Sequence, residues 1–339
     1  LHLCDRRQRQ MCIRDSNMTV LNDKLNISLE AVCDSFSSLL WDIEYYKCGA
    51  FEVYIAASPR NIEIFQTGRI VGRDDDKEHF GLIESVELET NAEDGDYLII
   101  KGRFLMCLLE RRIIYPTFNF TKLVSYSQIV MNVVQHNACT AGIRKIPGLV
   151  VGCSSGSCWD AKTKLQVSYD NLMEWVYTIC EKIGGTANIR LIKTNNEQYE
   201  MIFELSQGTD RSILQEVNPH IIFSDRYNNL LSFTYFTDTS FKKNYAYVLG
   251  KGEGEKRKRT TYFEGTEPSS LERHEVYVDA KDISDEEQEN GETKPLSEEE
   301  YSELLKEKGK QSLVPITMKS ESQIAVQSTQ FQYLSLIHI

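Results

Sequence analysis

Three groupings of residues in this chain could do chemistry. The first is Gly250–Arg259, GKGEGEKRKR, in which three glycines lead into four bases. A phosphate cradle needs backbone amides aimed at one anion, usually from a glycine loop that opens a helix, and the Gly-Lys-Ser/Thr ending of that class is absent. Strand-like residues lie on both sides, so the run reads as a bulged strand end with a cationic hairpin tip. The second grouping is Cys153 and Cys158 in GCSSGSC. Zinc takes about four ligands at tetrahedral spacing. Neither a second cysteine pair nor a nearby histidine pair exists, which leaves a loop. The third is His136 with Cys139. On a helix the i, i+3 spacing brings both to one face, as an imidazole-activated thiol requires. No acid can be assigned to orient the imidazole. His136 therefore reads as a residue at a helix C-terminus and Cys139 as a core thiol. Carboxylates are abundant but gather in loops and a charged run, where their pKa values stay ordinary, so an acid pair of the glycosidase kind is not singled out. HExxH and GxSxG are absent, and no two histidines stand at metal-ligand spacing. The sequence thus nominates no catalytic, cofactor-binding or metal residue, and no cofactor.

The elements that would position such residues follow from composition and period. The chain has 339 residues, with 50 acids against 38 bases and a net charge of −12. That balance argues against a broad basic face for sequence-specific nucleic-acid binding. No run of about 18 uncharged apolar residues exists, so no membrane-spanning helix is expected, and no basic–apolar–small leader opens the chain. Residues 1–16, which include MCIRDS, and residues 334–339, LSLIHI, show no structural period. They resemble translated sequencing-adapter reads and are expected to be non-native extensions. The true start is then Met18 or upstream, and the true end is missing. The seven remaining cysteines are odd in number and irregularly spaced, which fits free thiols in a reducing compartment.

Residues 17–120 read as a β-rich domain. Phe51, Val53 and Ile55 alternate with Glu52 and Tyr54, the period of a half-buried strand. Phe80, Leu82, Val86 and Leu88 alternate with Gly81, Ile83 and Glu87, and Asp94-Gly95 predicts a hairpin into YLIIKGR. Asp74-Asp75-Asp76 reads as a solvated loop. Residues 121–206 read as an α/β domain. Leu123, Tyr126, Val130 and Val133 predict one helix. Leu172, Val176, Ile179 and Ile183 predict another, capped by Ser168, favoured by Asp170 and stopped by Gly184-Gly185. Two strands follow, Ile189/Leu191 and Tyr199–Leu205, with Asn195-Asn196 at the turn. Residues 207–280 return to strands, as in LSFTYFT, YAYVLG and HEVYVD. Residues 281–303 hold ten acids and two lysines; 281–296 reads as a flexible acidic linker. Ser297 and Glu300 form a capping box for a helix through Tyr301, Leu304 and Leu305 that ends near Gly309, opening the incomplete β unit 297–333. The expected fold is α+β, mainly antiparallel β, with barrel or sandwich domains and an inserted helix–helix–hairpin domain.

Taken in order, these segments resemble a family. WDIEYYKCGAFEVYIAAS (Trp41–Ser58) resembles the tryptophan, aromatic pair, glycine and Phe-x-Leu/Val opening of a siphovirus tail protein family named after gene product thirty-seven of a rhodococcal phage. Further matches are IIKGRFLMCLLERRII (Ile99–Ile114), YDNLMEWVYTIC, FELSQGTDRS (Phe203–Ser212), NPHIIFSDRYNNLLSFTY (Asn218–Tyr235), YVLGKGEGEKRKR and LERHEVYVDAKDIS (Leu271–Ser284). Together they span about 36–333. The chain departs from the family pattern after the helix at 297–309, where the closing tyrosine-glycine and leucine-glycine-aspartate pattern is missing. The resemblance implies a structural, non-enzymatic component of a siphophage or prophage tail tip or baseplate, similar to hub proteins. It implies a ring-forming homo-oligomer, often trimeric, in the virion tail and, before assembly, in the host cytoplasm. The implied partners are the distal tail ring and the tape-measure protein. Two other classes stay open: a tail-associated cell-wall hydrolase or peptidase subunit, and a host polysaccharide-binding module.

Overall fold

The computed structural model describes residues 18–21, 29–91, 95–194, 199–211, 213–220, 222, 232–238, 240, 242–289, 292–313 and 319–325. The expected extensions, Asp94 of the first turn, Asn195-Asn196 and Leu231 lie outside them. The fold is α+β with mostly antiparallel sheets.

The first seven strands are β1 (Met18–Leu21), β2 (Leu29–Cys33), β3 (Phe36–Asp42), β4 (Ala50–Ala56), β5 (Ile70–Arg73), β6 (Phe80–Asn91) and β7 (Gly95–Phe104). They form one antiparallel sheet in the order β2-β1-β5-β6-β7-β4-β3. β2 and β3 stand at opposite ends of that order, yet only Asp34 and Ser35 separate them in the chain. Three peptide steps span at most about 11 Å. The two ends of the sheet must therefore meet, and the sheet curls into a barrel. Val20, Val53, Ile55, Ile83 and Ile100 fill its inside, joined by Phe65 at the end of the short helix α1 (Pro59–Ile64). The predicted alternation of Phe51, Val53 and Ile55 is present, each fully buried. The alternation predicted for β6 is broken. A bulge between Ile83 and Ser85 shifts the register. Phe80 and Leu82 consequently face outward into the neighbouring core, while Val86 joins Ile83 inside the barrel and Leu88 is exposed.

The outer wall of the barrel, through Leu21, Ile70, Phe80 and Leu82, shares one hydrophobic cluster with the middle of the chain. That middle contains α2 (Cys107–Glu110), β8 (Phe118–Ser125), α3 (Tyr126–Val134), β9 (Leu149–Ser154), β10 (Lys162–Val167), α4 (Leu172–Ile183), β11 (Thr186–Lys193) and β12 (Tyr199–Ser206). β8 pairs with β10, and β11-β12-β9 form a second sheet in which β12 and β9 are parallel. The helix predicted from Leu123 begins later. Residues 118–125 are a strand, Leu123 is exposed, and Ser125 turns the chain into α3 by accepting a hydrogen bond from the Gln128 amide. The chance spacing of Leu123 and Tyr126 imitated a helical period across that boundary. α4 has the predicted stripe, and Gly184 closes it in the left-handed conformation at φ 74°. Its N-cap is Asn171, not Ser168; the Asn171 side chain accepts from the Met173 and Glu174 amides. Asp170 precedes the cap.

The remaining elements are β13 (Ser232–Asp238), β14 (Tyr245–Leu249), β15 (Arg259–Tyr262), β16 (Glu275–Asp279), β17 (Glu286–Glu289), β18 (Glu292–Pro295), α5 (Glu298–Leu313) and β19 (Lys319–Ala325). β13 pairs with β19, and β17 pairs with β18. Where the sequence predicts a linker, the chain forms this β17–β18 hairpin. β15-β14-β16 form a sheet covered by α5, with Ala246, Val248, Val278, Tyr301, Leu304 and Leu305 between them. The capping box is made: the Glu300 amide donates to Ser297 Oγ, and the Ser297 amide donates to the Glu300 carboxylate. Gly309 does not end the helix, which runs to Leu313. A Cβ there would sit 2.7 Å from a Val248 methyl, so the glycine lets helix and sheet approach closely.

Candidate functional site

The reactive side chains do not converge. His136 lies in a π-helical turn, Gln135–Cys139, in which the Thr140 amide reaches back five residues to the Gln135 carbonyl. That wider turn removes the simple i, i+3 alignment expected for His136 and Cys139. His136 is exposed, with its ring set edge-on to Phe118 at 5.3 Å. Cys139 packs against the core, and burial pushes its thiol up to about 11, away from thiolate character at neutral pH. Cys153 is exposed, its thiol 3.6 Å from a Glu204 carboxylate oxygen, and burial raises the Cys158 thiol. All seven cysteines of the described residues are free, and those residues contain no group of three or more histidine, cysteine or acidic side chains able to hold a metal.

The cationic run Gly250–Arg259 is a hairpin connection between β14 and β15, and three of its bases, Lys251, Arg257 and Lys258, are engaged internally. Arg257 donates to the Leu249 and Gly250 carbonyls, each at 2.7 Å, and to Tyr277 Oη at 2.8 Å, and it pairs with Asp279. Lys251 pairs with Asp285 at 2.7 Å, and Lys258 pairs with Glu298 at 2.6 Å. The Lys251 amide donates to Tyr301 Oη, whose hydroxyl reaches the Ile283 carbonyl. A Cβ on Gly250 would lie 2.4 Å from Tyr301 Oη, and Gly252 holds φ 112°. The glycines serve a tight turn under a tyrosine. The Gly250, Lys256, Arg257 and Lys258 amides donate to carbonyls of the turn itself.

The segment Trp41–Phe51 forms a latch between barrel and middle. Trp41 packs against the Phe51 and Phe104 rings at 5.7 and 4.9 Å, and its indole donates to Asp76 at 3.0 Å. The Tyr45 hydroxyl donates to the Gly184 carbonyl at the end of α4 and accepts from the Gly208 amide at 2.6 Å. Thr186 Oγ1 donates to the Tyr45 carbonyl at 2.6 Å. Gly49 is required because a Cβ would stand 2.2 Å from the Asp42 carbonyl oxygen.

Asp76, expected in a solvated acidic tip, is part of this latch. Burial would raise its pKa, but hydrogen bonds from His79, Trp41 and the Glu78 amide, together with the charge of His79, hold it down to about 2. Only Asp75, paired with Arg73, and Asp74 behave as the loop predicted. Two further groups escape sequence reasoning. Buried Asn137 accepts from the Tyr115 amide at 2.8 Å and donates to the Val133 carbonyl. Lys182, 3% exposed, pairs with Glu307 on α5 and lies 5.3 Å from the Tyr126 ring centre. The Asp76-x-x-His79 spacing is a local signal for the first, since Asp76 Oδ1 accepts from both the Glu78 and His79 amides. Nothing local announces the other two. A cavity of about 210 Å³ beside α5 is lined by Lys182, Asn244, Tyr262, Glu264, Lys310 and Leu313. Its charges are of both signs, so it offers no convergent anion or cation site.

No helix of the described residues is long and apolar enough to cross a membrane. No curated protein matches the chain. Among solved structures it is similar to the prophage MuSo2 43 kDa tail protein from Shewanella oneidensis, at 10% identity and TM-score 0.46, covering 93% of this chain and 84% of that one. It is also similar to the tail protein from Neisseria meningitidis MC58, at 14% identity and TM-score 0.45, and to the prophage tail protein gp18 from Listeria monocytogenes EGD-e, at 11% identity and TM-score 0.44. Each of these two alignments covers 78% of this chain and 72% of the other. The pattern of the family described as Siphovirus ReqiPepy6 Gp37-like protein matches residues 17–333. With that match over nearly its whole length, the chain belongs to this siphovirus tail protein family.

Proposed function

We propose that the chain is a structural subunit of a siphophage or prophage tail tip or baseplate, of the hub type. Copies close into a ring and touch the distal tail ring and the tape-measure protein, after a period in the host cytoplasm. The observation that carries this reading is the use made of the family segments. WDIEYYKCG forms the latch between barrel and middle, and GKGEGEKRKR forms the tyrosine-capped hairpin turn. The first is spent on holding two bodies in register and the second on fixing the α5-covered sheet from within, which a building block needs and a loose binding module does not. Ring closure then relies on burying apolar and polar surface between copies.

The test is genetic and biochemical together. Removing the gene from an inducible phage should leave heads without mature tails, and the chain should be found in purified particles by mass spectrometry. Normal infectious particles without it would overturn the proposal. The hydrolase reading has its own assay. Purified peptidoglycan incubated with the chain should release no soluble fragments; release that disappears in Cys139→Ala or His136→Ala would establish the enzyme instead.

A further inference from the structure

The β15-β14-β16 sheet has one face under α5 and one face open. Ala246, Val248, Val276 and Val278 face α5. The alternate residues face away: Tyr245, Tyr247 and Leu249 on β14, Glu275, Tyr277 and Asp279 on β16, and Arg259 and Thr261 on β15. Tyr247 stands in register between Thr261 and Tyr277, so these three form one row across the sheet. Tyr247 and Tyr277 are 39% and 56% exposed. Both hydroxyls are held by arginine. Arg273 donates to Tyr247 Oη at 3.0 Å, and Arg257 donates to Tyr277 Oη at 2.8 Å. The Arg273 guanidinium lies 3.5 Å from the centre of the Tyr245 ring and pairs with Glu267 at 3.0 Å and with Glu275 at 2.6 Å, while Arg257 pairs with Asp279. The rings are therefore held in place before anything binds, and little side-chain entropy is left to lose.

The charges around the rings decide what can sit on them. Arg257, Arg259 and Arg273 share this face and its border with Glu267, Glu275 and Asp279, so both signs are mixed at short range. A polyanion would meet the carboxylates, which disfavours nucleic acid and acidic polymers. A protein pressed here would strip water from Glu267, Glu275 and Asp279, whose side chains are 55%, 49% and 52% exposed, and interface centres are poor in Asp and Glu. A sugar hydroxyl both donates and accepts, so it can replace water at a charge of either sign. The aromatic face is apolar and slightly negative, which suits the C–H side of a pyranose ring. We propose that the open face of this sheet binds a neutral polysaccharide. Tyr247 and Tyr277 are the stacking surface, and Arg257, Arg273, Glu275 and Asp279 are the partners of the hydroxyls. This adds a binding function to the structural one and does not rest on it.

The experiment runs the full chain through native gels containing dextran, mannan, galactomannan or soluble starch, with hyaluronate and single-stranded DNA as charged controls. Wild type should be retarded by at least one neutral polymer and by neither control. Calorimetric titration with that polymer should give an affinity that changes by less than about two-fold between about 50 mM and about 500 mM salt, because the ligand carries no charge. Tyr277→Ala should weaken binding by about ten-fold or more, and Tyr247→Ala should act in the same direction. Tyr277→Phe keeps the ring and should retain most of the affinity. Both tyrosines reach solvent, and thermal unfolding by circular dichroism checks that each variant keeps its fold. No retardation by any of the four neutral polymers overturns the proposal. Retardation that both alanine variants leave unchanged overturns this site. Retardation by hyaluronate or DNA that salt abolishes overturns the proposal in favour of a polyanion. Self-association in sedimentation velocity that Tyr277→Ala abolishes, without retardation by sugar, overturns it in favour of a second copy of the chain. None of these outcomes alters the gene-removal test of the tail-subunit reading.

Discussion

The barrel and the α5-covered sheet are both fastened to the middle of the molecule, by opposite means. The barrel joint is aromatic and backbone-directed, with Tyr45 bridging Gly184 and Gly208 and Thr186 bonded to the Tyr45 carbonyl. It also shares a hydrophobic cluster through Leu21, Ile70, Phe80 and Leu82. The joint at α5 is built largely from ions. Lys182 pairs with Glu307, Lys164 with Glu303 at 3.6 Å, and Lys308 with Asp170 at 3.8 Å. Gln166 adds bonds to the Asp282 carbonyl and the Ser284 amide. Contacts of the first kind gain from burial and are indifferent to salt, whereas the more exposed pairs at α5, Lys164–Glu303 and Lys308–Asp170, contribute little and weaken as salt rises, leaving Lys182–Glu307 as its one enclosed pair. The barrel and the middle should therefore unfold as one unit, and the α5 sheet should be the part that loosens first.

The largest break in this contrast is at Gly49. Gly49→Val places a side chain onto the Asp42 carbonyl and the Phe104 ring, and should cost roughly 3 kcal/mol in urea unfolding, with barrel and middle failing together. Next is Lys182→Met, which leaves Glu307 largely enclosed and unpaired. About 2–3 kcal/mol should be lost from the α5 transition, and adding Glu307→Leu should recover most of it, because a buried pair stabilises less than its one-sided removal suggests. Tyr45→Phe removes the hydroxyl shared by Gly184 and Gly208. A loss of about 1–2 kcal/mol, unchanged between low and high salt, is expected from thermal melts. Asp76→Asn is the smallest, about 1 kcal/mol at neutral pH once solvent screening is allowed for. Its sign is fixed by the depressed folded pKa. The contribution is complete above the ordinary value of 3.8 and is lost as pH falls through about 2, so wild type and variant stabilities should converge there.

What was legible in the sequence is what depends on near neighbours. Phe51, Val53 and Ile55 declare their strand by alternation alone, Gly184 stops α4 by its own backbone freedom, and Ser297 with Glu300 caps α5 within one turn. Features fixed by distant chain were not legible. Tyr45 meets Gly184 across 139 positions, and Lys182 meets Glu307 across 125. Gly309 looks like a helix stop until Val248 is known to lie under it. The reversed face of Val86 depends on a bulge that only the partner strand β7 reveals. The joints that hold the bodies together are of this second kind, which is why the sequence named the segments but not their task.

The seam at Asp34-Ser35 bears on how the barrel is built. β5, β6 and β7 follow one another as a local meander, whereas the β1–β2 and β3–β4 pairs each join it across some forty to fifty-five positions. The meander is therefore expected to form first, with the two pairs docking on its opposite edges and meeting last along the seam that closes the cylinder.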